Sequence, residues 1–161
     1  MDRIYTKKLT ILLFVFIYGI SSGSFLSAQM ALPEKNHLSQ FIENYVFTLG
    51  SVDSFLYQNQ FFSALVINSI FLGIIFFCNY HKIFMPVAYT ILFYKGFCLG
   101  FSTSLIFDVI GIEECLRSMP TYLPQNAIIV TALALAILNP SFSFVKCWFV
   151  ILAGCLFYLF T

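Results

Sequence analysis

Charge is what this sequence has least of: Asp, Glu, Lys and Arg fill 9% of its 161 positions, where a soluble domain carries about a quarter. Eight basic and seven acidic side chains leave a net charge of +1. That is too little for an electropositive surface able to hold nucleic acid, and nucleic-acid binding is excluded. Metal and disulfide chemistry lack their materials as well. The five cysteines are odd in number, show no CxxC spacing and mostly lie inside apolar runs, where thiols act as small packing hydrophobes. The two histidines, His37 and His81, stand far apart in the sequence, so no metal centre or other cofactor is expected. No serine, cysteine or carboxylate has the partner spacing of a nucleophile or an acid–base pair, and no enzymatic activity is expected.

What the sequence does have is apolar length: 60% of it is hydrophobic and 19% aromatic. A helix needs about 20 mostly apolar residues to cross about 30 Å of hydrocarbon. Residues 9–27 and 61–80 carry no charge, and residues 83–107 hold only Lys95. A fourth run, 127–138, has 12 residues, about 18 Å of helix, and must borrow length from "SMPTYLPQN" at 118–126. This places a span at about 121–138, stopped by Asn139-Pro140, and a fifth run follows at 142–160 with Trp148 as an interfacial anchor. The pattern predicts an all-α, polytopic integral membrane bundle of about five transmembrane helices in a single domain.

The connection 28–60 is the one sizeable loop. Within it Leu38, Phe41, Ile42, Tyr45 and Val46 recur at helical spacing, opposite Ser39, Gln40, Glu43 and Asn44, until Gly50 ends the pattern. This predicts a short amphipathic helix that either lies on the bilayer and the spans or offers a docking face to another protein. With five spans and a cytoplasmic amino terminus, Arg3, Lys7, Lys8, Lys82 and Lys146 are cytoplasmic against Lys35 and Arg117 outside, the orientation that basic residues favour. Residues 9–27 also fit a cleaved signal peptide, with small residues at Ser27-Ala28, and cleavage would leave the remaining topology unchanged.

Lys95 is the thirteenth of the 25 residues 83–107, near the centre of a straight crossing helix. Half the hydrocarbon is about 15 Å thick and a lysine side chain reaches about 6 Å, so Lys95 requires a protein partner, a water pocket or a thinned membrane. Its insertion costs about 2.5–3.5 kcal/mol, which the surrounding apolar residues outweigh. A re-entrant hairpin with Lys95-Gly96 at its tip is the alternative to a crossing helix. Asn68, near the middle of the second span, is a candidate hydrogen-bonding group across helices and a candidate receiver of the Lys95 ammonium. Gly96 and Gly100 form a GxxxG pair continued at helical spacing by Thr103, Ser104 and Phe107, a face suited to packing against another span of the same chain or against a second copy. Asp108, Glu113 and Glu114 read as a solvated edge of the span.

The succession "YKGFCLGFSTS", then Gly111, then "LPQN" leading directly into an apolar helix resembles the core of the stage II sporulation protein M family. The resemblance covers residues 91–138, where Lys95, Gly96, Gly100, Phe101, Gly111, Leu123, Pro124, Gln125 and Asn126 fall on positions that the family pattern holds at comparable spacing. The basic amino terminus, first span and outer loop agree in layout, while "FLGIIFFCN" stands where the family usually has a tryptophan–glycine pattern. The resemblance implies a non-catalytic membrane scaffold in the mother-cell septal or engulfing membrane of an endospore-forming bacterium. There it would hold stage II sporulation protein P and, through it, protein D, which degrade peptidoglycan. Tethering raises a partner's effective concentration without new catalytic groups. In the residues themselves, "LPQN" reads as a helix cap at the membrane face or as a partner-binding or gating kink. The rival expectation is a transport or channel subunit, motivated by the intramembrane lysine and by a span that starts at a proline loop.

Overall fold

A computed structural model describes residues 3–31, 33–35, 37–38, 54–80, 82–139 and 143–160. Every element among the described residues is helical: α1 (Arg3–Gln29), α2 (Ser54–Tyr80), a 3-10 turn (Lys82–Phe84), α3 (Met85–Ile110), α4 (Ile112–Leu138) and α5 (Phe144–Phe160). Three stretches are long and apolar enough to cross a membrane, Tyr5–Gln29, Phe62–Tyr80 and Met85–Asp108, and they coincide with the first three runs expected. Two shorter apolar stretches, Asn126–Leu138 and Phe144–Leu156, match the fourth and fifth. The amphipathic helix expected at 38–46 lies, beyond residue 38, outside the described residues.

The helix boundaries have local causes. Pro86 sits in the first turn of α3, where a missing N–H costs no intrahelical bond. At the other end of α3, Gly111 takes φ 94° and ψ 174°, a region essentially closed to residues with a Cβ. That single residue turns the chain directly from α3 into α4. Leu138 ends α4, and Asn139, held by Pro140 out of helical geometry, still donates its N–H to Leu135 O at 3.0 Å.

Neighbouring contacts give the directions. Phe71 meets Tyr94 and Phe77 meets Phe84, so α2 and α3 are antiparallel. Phe76 meets Phe144 and Ser69 meets Trp148, so α2 and α5 are antiparallel. Gly19 lies against Phe93 and Phe97 while Gly23 lies against Phe97 and Phe101, so α1 and α3 are parallel. Thus α1, α3 and α5 run one way and α2 and α4 the other, the alternation that successive membrane crossings require. Helices α2, α3, α4 and α5 surround a common core of Leu72, Ile75, Ala88, Leu92, Leu133 and Ile137, all but closed to solvent, to which α1, packed along α3, adds Leu12. Large apolar side chains also cover the outside of the bundle, among them Phe14, 72% exposed, and Phe25, 63% exposed.

Two expectations are corrected by the fold. The stretch 118–126 is not an irregular loop or a cap: α4 is one helix from Ile112, so Leu123, Pro124, Gln125 and Asn126 lie inside it. Pro120 and Pro124 each remove one intrahelical donor without ending the helix, as happens in apolar helices supported by neighbours. The hairpin alternative for residues 83–107 also disappears, because α3 passes through Lys95-Gly96 without interruption.

Candidate functional site

The middle of α3 presents two opposite faces, each built from residues that the sequence singles out. Gly96 and Gly100, one turn apart, meet α1 where Gly19 and Gly23 are likewise one turn apart. A Cβ added to any of the four would be driven into a backbone carbonyl of the facing helix: Phe93 O at Gly19, Phe97 O at Gly23, Phe16 O at Gly96 and Ile20 O at Gly100. Only glycine permits this approach, and the close backbones gain dispersion along the whole seam. Serines extend it, with Ser24 Oγ donating to Gly100 O at 3.2 Å and Ser104 Oγ to Ser24 O at 3.5 Å. Ser27 Oγ is fully buried and has no hydrogen-bond partner among the described residues. Phe101 continues the face, its ring stacked on Phe97 at 6.1 Å. Of the residues expected to extend the GxxxG face, Ser104 does so, whereas Thr103 bonds back to Leu99 O in its own helix and Phe107 is 49% exposed.

Lys95 occupies the other face. It follows the buried Ala88 and Leu92 at i+7 and i+3, which aims it into the group formed by α2, α4 and α5. Its Nζ stands 5.2 Å from the centre of the Phe71 ring, on α2. Tyr94 packs edge-on against the same ring at 5.9 Å. The aromatic face supplies a cation–π attraction of about 0.5–2 kcal/mol, stronger as water is excluded. The thiols of Cys98 and Cys155 share its electrostatic surroundings. No carboxylate of the chain lies in α3 before Asp108, and Asp108 is taken by Lys35, whose Nζ is 2.7 Å from its Oδ2.

Asn68 does not receive the ammonium. Its Nδ2 donates to Ala64 O at 2.8 Å within α2, and its Oδ1, in a residue only 3% exposed, has no hydrogen-bond partner among the described residues. Asn68 adjoins Cys155 of α5. The cross-helix role expected of Asn68 falls instead to Asn79, whose Nδ2 donates to Ala136 O on α4 at 2.8 Å. Ala132 and Ala136, fully buried and one turn apart, let α4 come close enough for that bond. Trp148 is not an interfacial anchor either: its Nε1 donates to Ser69 Oγ at 3.0 Å, tying α5 to the middle of α2.

The remaining sequence candidates sit apart from these two faces. Gly111 forms the α3–α4 turn, Leu123 and Pro124 are exposed on α4, and Asn126 is half-buried. Cys78, Cys147 and Cys155 are buried packing residues, as expected, and Cys98 is partly exposed. The seam residues on α1, Gly19, Gly23 and Ser27, are ones that reading the sequence misses, although small residues recurring every fourth position carry the signal. Among known proteins the chain matches no family model, no curated protein and no solved structure.

Proposed function

We propose that the protein is a multi-pass membrane scaffold. The observation that carries this reading is that the stretch from Lys95 to Ser104, which bears most of the resemblance to the stage II sporulation protein M family, spends its small residues on locking α1 to α3. A motif used to fix two helices in one arrangement suits a protein that holds others in place. The apolar outer surface and three helices of spanning length support residence in a membrane. With its amino terminus in the cytoplasm, the chain would present 28–60 and 108–122 outside, where partners that degrade peptidoglycan work. On the resemblance, those partners are stage II sporulation proteins P and D, gathered at the engulfing membrane of the mother cell.

Detergent co-purification from sporulating cells tests the scaffold. Deleting 38–46 and replacing the acidic residues in 108–117 should reduce recovery of the two partners, and unchanged recovery in both variants would remove the proposed surfaces. Transport is a second reading for one reason: Lys95 turns a cation into the bundle where the described residues offer it an aromatic ring and the nearby Asn68 Oδ1 has no donor. In reconstituted vesicles a solute flux abolished by Lys95→Met would favour transport over scaffolding.

A further inference from the structure

On the α1 side of α3, opposite Lys95, the helices enclose an open-sided groove of about 330 Å³ on the amino-terminal side of the glycine crossing. Phe14, Val15 and Tyr18 of α1 and Tyr89, Thr90 and Phe93 of α3 line it, and apart from hydroxyl groups nothing polar does. Phe14 and Tyr18 are 72% and 62% exposed, so the groove opens sideways to whatever surrounds the bundle. Its volume suits a stretch of one hydrocarbon chain and is far too small to seat a helix.

The groove has a basic end. Lys7 precedes Phe14 by seven residues and Tyr18 by eleven, and Lys8 precedes Val15 by seven, so both lysines stand on the groove face of α1. Seven residues of helix separate them from the groove lining by about 10 Å. That is the spacing between the phosphate of a phospholipid and the upper part of its acyl chain. Neither Lys7 nor Lys8 has an ion-pair partner among the described residues.

We propose that this groove binds one anionic phospholipid, with an acyl chain along the aromatic lining and the phosphodiester held between Lys7 and Lys8. Two cations above an apolar slot match a lipid of net negative charge; a zwitterionic lipid would set its own ammonium beside them. The inference rests on the reading that the chain is embedded in a bilayer. It assigns the groove between α1 and α3 a ligand and gives the basic amino-terminal turn of α1 a role beyond orientation.

The full chain, reconstituted into vesicles of equimolar phosphatidylglycerol and phosphatidylcholine with matched acyl chains and then released into mild detergent, is measured by native mass spectrometry. The expected result is one phosphatidylglycerol retained per chain in preference to phosphatidylcholine. Replacing Lys7 and Lys8 by glutamine should cut that preference by roughly five-fold per lysine. Filling the groove with Thr90→Trp, at an exposed position, should remove retention of both lipids. Lipids retained in the proportions of the bulk, a Thr90→Trp variant that keeps its lipid, or a lipid-free doubled mass showing a second copy in the groove would each overturn the site. Carbonate extraction of the same vesicles separates the two levels: release of the chain overturns the membrane reading itself, and retention without lipid discrimination overturns the groove alone.

Discussion

Gly100 and Gly73 differ in what a methyl group would meet. At Gly100 it would strike Ile20 O and the backbone around it, whereas at Gly73 it would meet nothing within 4 Å. Gly100→Ala should therefore destabilise by about 1–3 kcal/mol, the usual cost of overpacking against atoms that cannot rotate away. Gly73→Ala, in the interior of α2, should be neutral or stabilising by up to about 1 kcal/mol through helix propensity. Reversible unfolding by dodecyl sulfate in mixed micelles measures both, and equal losses would mean that the α1–α3 seam is not as close as described. Lys95 gives the opposite sign. In Lys95→Met the ammonium no longer has to enter the hydrocarbon, a saving of about 2.5–3.5 kcal/mol, and this exceeds the attraction that the Phe71 ring supplies to it. A translocon-mediated insertion assay of α3 should show the inserted fraction rise in Lys95→Met, by an apparent free energy of about 2–3 kcal/mol. Both expectations follow from what each side chain touches. The sequence marked Gly100 and Lys95 as unusual but said nothing of Ile20 or Phe71, which lie 80 and 24 positions away.

At the scale of the element, run length and breakers were legible and continuity was not. Pro120 and Pro124 look like the irregular start of a span in the sequence, yet α4 begins at Ile112 and runs through both for 27 residues. A proline weighs against a helix only by the bonds and sterics it disturbs locally, and packing of α4 against α3, α2 and α5 outweighs it. The Lys35–Asp108 pair joins the segment after α1 to the last turn of α3, where a carboxylate faces the negative end of the helix and gains from a cation. With side chains 19% and 32% exposed, it is worth little. A double-mutant cycle of Lys35→Ala and Asp108→Ala should return a coupling below about 1 kcal/mol that shrinks as salt is added. A coupling several times larger would show the pair to be shielded from water.

For the molecule as a whole, the alternating directions predict two sets of labels. Single cysteines at Ala31 and Glu113, in a background without the native five, should react with a membrane-impermeant maleimide from one side of intact vesicles, and cysteines at Ile83 and Asn139 only from the other. Reaction of residues 83 and 113 from one side would break the arrangement, since α3 runs between them as a single rod. The sequence by itself determined where the five apolar runs lie and that each is helical among the described residues, because those depend on runs of side chains and on local breakers. It also exposed half of the α1–α3 seam, since Gly96 and Gly100 stand out among phenylalanines. Only the tertiary structure decided that Gly19 and Gly23 form the other half, that Trp148 answers to Ser69, and that Lys95 rests on Phe71 while Asn68 bonds within its own helix. Helices α2 and α3 are nearly as apolar on one side as on the others, so their periodicity names no inner face. The choice of face falls to close approach between backbones and to individual hydrogen bonds, which exist only once distant parts of the chain have met.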